Sequence, residues 1–502
     1  MNVSGYLDFA KQGVQTLIER QSTRAGGDGA LCITVTRQPC KASRSMGGKQ
    51  GDTRRSFPIE AQPVEPEPCR LDFNSWPVLD LLSDVTGDEA YRRLADGMAS
   101  AFAPHGFDPA SGLGYVGIQA DFDAVRLQPL EAMPNHTKPT FKPAVNLQID
   151  RLWAVAPEQM ARMFKAAYYG LITRPENMDY NRYCSYGFDD KAKKPSMAFR
   201  SNCVAFAQTG GMLIHWWGYL FARTGDLECL GWAQAMLAKW LAVQHPESGL
   251  IPHWFGSDQS DEPVQPPRPY ANSGEMLTVV SLLKGETELR KRPEGAGLAD
   301  QVGGMARRLL RGMVRHGYDA KERIFPQWMH LNGSAREETT FYHFRTQAEK
   351  DEAVKKDPTL QGVAVYAGLG FYQGGPGSLS VNTFFPHYVA MGAQMTGDAE
   401  ALSAARKYAD DLMEEAGKLK GPLNAQGQWT YPASATYLKT LLLLRQMTGE
   451  RQYLDQAKKL ADLEMDFLSG PVPAGEPEWW RLPLRDGLLE ALLLLHQEIR
   501  KP

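Results

Sequence analysis

The sequence predicts a mainly α-helical fold, an (α/α)6 or (α/α)7 toroid of helical hairpins with few strands and long loops that form a cleft. Three observations predict it. A Thr-Gly-acid tripeptide closes one apolar helical run and opens the next in four places. Further runs at helical spacing lie between the copies, and long irregular segments hold most of the His, Trp and Tyr that fall outside helical spacing.

The first element is "MNVSGYLDFAKQGVQTLIERQ", where Tyr6, Phe9, Ala10, Val14, Leu17 and Ile18 recur at helical spacing and predict a docked N-terminal helix. It lacks the basic start and unbroken apolar core of a signal peptide, so the expected location is cytoplasmic. An irregular excursion is expected at residues 24–70, with "ALCITVTR" its one β-branched run and "RSFPIEAQPVEPEPCRLDF" proline-rich connecting chain.

The hairpins follow, in "WPVLDLLSDVTGDEAYRRLADGM", "LIHWWGYLFARTGDLECLGWAQAM", "FPHYVAMGAQMTGDAEALSAARKYA" and "YLKTLLLLRQMTGERQYLDQAKKLA". In each, glycine ends a helix in a left-handed conformation. The Asp or Glu after it falls at the next helix start, where open amides and the helix dipole favour an anion. Gly87, Gly225, Gly397 and Gly449 are 138, 172 and 52 residues apart, so about six or seven hairpins fit once "EQMARMFKAAYYGLI", "GEMLTVVSLLKG" and "ADQVGGMARRLLRGMVRHGYD" are counted. A hairpin cannot bury its apolar face alone, so the copies must stack, and closure into a ring makes residues 1–502 one domain. Within it, "HWWGYLF" at 215–221 is spaced for core packing.

Composition narrows the ligand. The 55 basic and 58 acidic residues give a net charge of −3 with no block of one sign, so no nucleic acid or anionic membrane is expected as a partner. No run of about 18 apolar residues suggests a membrane span. Cys32, Cys40, Cys69, Cys184, Cys203 and Cys229 form no CxxC pair and are expected as free thiols.

The irregular segments, roughly 105–150, 176–202, 245–275, 326–385 and 469–485, pair flat rings with hydrogen-bonding side chains, as in "DYNRYCSYGF", "GLIPHWFGSDQSDEP", "PYANSGEM" and "EPEWWRLPLRDG". Such loops suit carbohydrate, whose rings stack on aromatic faces while their hydroxyls need polar partners.

The segments "DRLWAVAPEQMARMFKAAYYGLITRPENMDYNRYCSYG", "ARTGDLECLGWAQAMLAKWLAVQHPESGLIPHWFG" and "EWWRLPLRDGLLEALLLLHQE" resemble (α/α)-toroid polysaccharide lyases, particularly pectate lyases and related uronate-polymer lyases. The resemblance implies β-elimination in an acidic polysaccharide or oligosaccharide. The substrate carboxylate must be neutralised before the proton at carbon 5 is acidic enough to leave. A base takes that proton and an acid protonates the departing oxygen.

In those pectate lyases an arginine is the base, beside a histidine that helps hold a divalent metal, in a segment resembling "NRY" here; Arg182 is then the candidate base. The neighbouring position is Tyr183, a poor metal ligand, so no cofactor or metal site is expected. Related lyases work without metal, using Tyr with His, Asn and Arg, which makes Tyr183, Tyr186 and His136 further catalytic candidates. Asn181, Arg200, Asn202, His253, Tyr270, Asn272, Trp479 and Arg481 are candidates for substrate binding.

Three other readings stay open. A glycoside hydrolase would draw two facing carboxylates from Asp150, Asp189, Asp190, Glu275 and Asp486, an epimerase would set His253 against His387, and a helical-repeat scaffold would bind a protein partner without catalysis.

Overall fold

A computed structural model describes residues 3–22, 73, 75–116, 122–123, 128–129, 140–141, 147–182, 184–189, 194–197, 204–256, 270–272, 275–318, 328–334, 343–344, 351–352, 354–355, 364–365, 381–418, 431–469 and 487–501. The excursion expected at 24–70, with its β-branched run, lies outside them.

The described residues form fourteen α-helices and short strands of two to six residues, so the chain is mainly α. The helices are α1 (Val3–Ser22), α2 (Ser75–Thr86), α3 (Ala90–Phe102), α4 (Ile149–Val155), α5 (Pro157–Leu171), α6 (Ala207–Thr224), α7 (Leu227–Leu241), α8 (Met276–Leu289), α9 (Ala296–His316), α10 (Val381–Thr396), α11 (Ala399–Lys418), α12 (Tyr431–Thr448), α13 (Arg451–Ser469) and α14 (Leu488–Arg500). None of the described helices is long and apolar enough to cross a membrane. In α1, Tyr6, Ala10 and Val14 are buried, and the Tyr6 hydroxyl donates to Asp462 at 2.8 Å.

The Thr-Gly-acid tripeptides join α2 to α3, α6 to α7, α10 to α11 and α12 to α13, and their glycines take φ of 72°, 73°, 66° and 73°. The glycine amide bonds the carbonyl four residues back, at 2.8 Å from Gly225 to Phe221, closing the helix in the left-handed geometry that only glycine adopts without strain.

Threonine's part is an addition to the sequence expectation. Each hydroxyl donates to the carbonyl four residues earlier and accepts from the acid's backbone N–H two residues later. Thr224 does so with Leu220 (2.8 Å) and Asp226 (3.3 Å), Thr396 with Gly392 (2.7 Å) and Asp398 (3.2 Å). The same pair of bonds recurs at Thr86 and Thr448. One side chain thus satisfies a carbonyl at the end of the first helix and an amide in the turn. Asp226 then caps α7 by accepting from the Glu228 amide at 2.9 Å.

The chain falls into two compact units, centred on Glu67–Gly312 and on Met313–Pro502. A single ring over the whole chain stays an expectation. In the first unit α6 packs on α7 and α8, and Trp216, Trp217, Tyr219, Leu220 and Phe221 are buried, as the spacing of "HWWGYLF" predicted. The Trp217 indole donates to the Phe164 carbonyl at 3.1 Å. Side chains are small where α6 meets α8. A Cβ on Gly211 would stand 3.2 Å from Thr278, and one on Gly218 would stand 3.1 Å from Leu289 and 3.5 Å from the Gly285 carbonyl. The contacts advance in the same direction on both helices, so α6 and α8 run parallel with their N-termini at one end.

In the second unit α10 packs on α11 and α12, and α12 on α13 and α14, around Tyr408, Tyr437, Leu441, Leu444 and Tyr453.

Segments read from sequence as loops carry short strands. Thr140–Phe141, Cys184–Asp189 and Lys194–Met197 form an antiparallel three-stranded sheet, and Val204–Phe206 pairs with Trp254–Gly256 in register Phe206 to Trp254. Runs this short have no readable period of two, but pairing satisfies backbone groups that a long loop would otherwise leave open.

Candidate active site

The stretch around Arg182 is fixed from both sides. Strand Ile172–Arg174 pairs antiparallel with Asp179–Tyr180, and Met178 in the connecting turn takes φ 54°, unusual for a residue with a side chain. The Asp179 carboxylate is 2.6 Å from the Lys239 ammonium, and the Asn181 amide bonds the Leu171 carbonyl at 2.8 Å. The Tyr180 hydroxyl donates to the Phe206 carbonyl at 2.5 Å. Beyond Arg182, Cys184 is buried in the three-stranded sheet. Burial pushes the Cys184 thiol well above its ordinary value, and Cys229 is likewise a buried free thiol, pushed up to about 12 chiefly by burial. Both match the expected inert cysteines.

The Arg182 side chain is half-buried, with its guanidinium carbon 4.3 Å from the centroid of the Phe206 ring. An arginine on an aromatic face keeps its planar fork oriented at little entropic cost. The Phe206 ring also lies perpendicular to the His253 imidazole, with centroids 4.9 Å apart and planes at 89°. His253 Nδ1 lies 2.5 Å from Glu275 Oε1, and the Thr278 hydroxyl donates to Glu275 Oε2 at 2.7 Å. Glu275 is fully buried, whereas the His253 side chain keeps 20% of its exposure. Arg182, Phe206, His253, Glu275 and Thr278 therefore form one chain of contacts.

The fold places this chain at helix starts. Phe206 is the N-cap of α6 and Glu275 the N-cap of α8. The Ala207 amide, in the first turn of α6, donates to the His253 carbonyl at 3.1 Å. The parallel α6 and α8 thus begin beside one another, and the Glu275 carboxylate stands at the start of α8, where the helix dipole favours an anion. Gly210 permits the approach, since a Cβ there would stand 2.3 Å from the Trp240 indole nitrogen and 2.7 Å from the Tyr180 hydroxyl.

The structure thus connects Arg182 with His253, and Asn181, the residue before the arginine, is buried. Tyr183, His136, Arg200, Asn202, Trp479 and Arg481 lie outside the described residues. Tyr186, Tyr270 and Asn272 are strand residues whose side chains are not described. Sequence reasoning missed Phe206 and Thr278. Thr278 stands three residues after Glu275, a helical spacing that places both on one face; Phe206 left no comparable signal.

Two carboxylates of the hydrolase alternative are described. Asp150 accepts from the Tyr219 hydroxyl at 2.7 Å and from Arg223 at 2.8 Å, and its side chain is 86% exposed. Tyr219 is thirteen positions past Phe206, about 20 Å along α6 at 1.5 Å per residue. Asp150 and Glu275 therefore sit toward opposite ends of α6, too far apart for the roughly 5–10 Å that paired carboxylates need. Asp190 and Asp486 lie outside the described residues, and the Asp189 side chain is not described. Of the histidines weighed for epimerisation, His387 belongs to the other unit, where its Nδ1 is 3.3 Å from the Thr440 hydroxyl and burial pushes it down to about 3.

Among the described residues, no three or more His, Cys, Asp and Glu side chains group to hold a metal ion. The donors around Arg182 do not fit one: the nearest ring is phenylalanine, His253 Nδ1 is committed to Glu275, and the residue after Arg182 is Tyr183.

A family model described as periplasmic pectate lyase matches residues 74–274, a span that contains Arg182 and His253. That description corrects the cytoplasmic expectation. The amphipathic first helix behind it records how α1 folds, and folding carries no address. No curated protein matches the chain. Among solved structures, a D-mannose isomerase is 12% identical, with a TM-score of 0.45 over 80% of this chain and 95% of the other. An unsaturated glucuronyl hydrolase from Bacillus sp. GL1 is 13% identical, with a TM-score of 0.39 over 84% and 85%. A heparin-specific unsaturated glucuronyl hydrolase is 12% identical, with a TM-score of 0.37 over 70% and 82%. At these scores the likenesses carry no argument about activity. Over 74–274, the chain is similar to a carbohydrate-degrading family.

Proposed function

We propose that the chain is a carbohydrate-processing enzyme that cleaves a uronate-containing glycan by β-elimination. The observation that supports it most is the half-buried Arg182 guanidinium on the Phe206 ring, next to His253 and the starts of two parallel helices. This flat-walled corner, with its guanidinium, suits a sugar that carries a carboxylate. Arg182 pairs with that carboxylate and withdraws charge from it, which lowers the barrier to losing the proton at carbon 5. A guanidinium stays protonated through the ordinary pH range, so Arg182 is better suited to hold the anion than to act as the base the resemblance implied. Tyr183, Tyr186 and His136 stay candidates for proton transfer, and Arg200, Asn202, Tyr270, Asn272, Trp479 and Arg481 for holding further sugar units. The matched pectate lyase family favours the same chemistry.

The test is a screen of acidic polysaccharides and their oligomers, with and without chelator, following ultraviolet absorbance of the unsaturated uronate. Absorbance that rises with enzyme concentration supports elimination. Depolymerisation without absorbance would favour hydrolysis, and unchanged polymers would favour a non-catalytic scaffold.

A further inference from the structure

We infer that Glu275 is the positioning residue of a proton-transferring histidine, His253, in the same site. The inference rests on the proposed elimination and adds to it the group that moves the proton. Glu275 Oε1 holds His253 Nδ1 at 2.5 Å, which selects the neutral tautomer with its proton on Nδ1 and makes Nε2 the basic nitrogen. The described contacts that hold His253 include the carboxylate and the perpendicular Phe206 ring on its side chain, and the bond from the Ala207 amide to its backbone carbonyl. The Thr278 hydroxyl occupies the other carboxylate oxygen, so the buried Glu275 is held by bonds at both ends of the group.

The charged groups that the described contacts bring to His253 are Glu275 directly and Arg182 across the Phe206 ring. They divide the work: the guanidinium holds the substrate carboxylate, and the imidazole, which keeps some solvent exposure, takes the proton. In the step, the C5–H bond breaks and its proton passes to Nε2. The electron pair forms the C4–C5 double bond as the C4–O bond breaks, and the departing oxygen takes a proton from water. The imidazolium formed faces the Glu275 carboxylate, which stabilises it, and later returns its proton to solvent. Burying a carboxylate could be achieved more simply with a lysine or arginine partner, so pairing it with histidine is informative.

The experiment is nitrogen-15 NMR of the full chain with labelled histidine, the His253 signals being assigned by their loss in His253→Asn, combined with steady-state kinetics. In the wild-type protein His253 should be the Nδ1–H tautomer. In Glu275→Gln, whose amide nitrogen can donate to Nδ1, the Nδ1–H preference should weaken, read from the same nitrogen-15 shifts. The kcat should drop about 10- to 100-fold with KM within about threefold. An Nε2–H tautomer in the wild-type protein overturns the inference, as does a Glu275→Gln protein whose tautomer balance and kcat are both unchanged. The wild-type tautomer measurement holds even if Glu275→Gln fails to fold. If no acidic glycan yields an unsaturated product, the elimination fails, while the NMR still decides the pairing of His253 with Glu275.

Discussion

Replacing Arg182 separates a site residue from a structural one, because the two roles predict losses of different size. The structural contribution follows from geometry. A half-buried guanidinium 4.3 Å from the Phe206 centroid is worth about 0.5–1 kcal/mol as a cation–π contact, so Arg182→Ala should lower the unfolding free energy by at least about that much. The catalytic contribution is larger. Removing a preorganised partner of a developing oxyanion costs about 10²- to 10³-fold in rate, or about 3–4 kcal/mol at the transition state. Arg182→Ala should therefore lose two to three orders of magnitude in kcat/KM while melting within a few degrees of wild type. Arg182→Lys keeps the charge but not the flat fork, and should recover part of the loss. The assay is the initial rate of ultraviolet absorbance on an acidic glycan, paired with a thermal melt of the same preparation. Activity within threefold of wild type in Arg182→Ala refutes the role of the guanidinium, and so does a loss that only tracks unfolded protein.

Three further outcomes are expected. Gly210→Ala places a methyl group 2.3 Å from the Trp240 indole nitrogen and 2.7 Å from the Tyr180 hydroxyl, so it should destabilise by about 1–3 kcal/mol in denaturant unfolding and disturb the support of Phe206. Thr224→Val removes the hydroxyl that bonds Leu220 and Asp226 and should cost about 1–2 kcal/mol; Gly225→Ala, forced to φ 73°, should cost a similar amount, and both are checked by chemical denaturation. His215 and His387 are both pushed down to about 3, chiefly by burial, so the folded chain holds them neutral where the unfolded chain would protonate them. Their stabilising effect is full above about pH 6.5 and is lost as pH falls toward 3, at most about 1.4 kcal/mol per pH unit for each histidine. The unfolding midpoint should fall between pH 6.5 and 4, less steeply in His387→Gln.

The helical hairpins were legible because each rests on local chemistry. The Thr-Gly-acid tripeptide needs no distant partner, and its four glycines take the expected positive φ. The threonine's double bond to Leu220 and Asp226 was equally local, and went unread because the glycine already explained the turn. Burial of the "HWWGYLF" face followed from helical spacing alone. The site was only partly legible. Arg182 and His253 stood out as polar groups in aromatic loops, but 71 positions separate them (253 minus 182), and Phe206, the ring that joins them, carries no polar mark. Glu275 was read as half of a hydrolytic pair, since a lone carboxylate in sequence says nothing of its partner; in the fold that partner is a histidine 22 positions earlier. Short strand pairings such as Phe206 with Trp254 arise from tertiary contact and leave no periodicity to read.

The most direct test of elimination is digestion of an acidic glycan in oxygen-18 water, with mass and ultraviolet analysis of the fragments. Elimination across C4 and C5 predicts fragments whose masses sum to that of the parent, one carrying a conjugated double bond and none carrying oxygen-18 at the cleaved bond. Fragments heavier by one labelled water, without the absorbance, would contradict it.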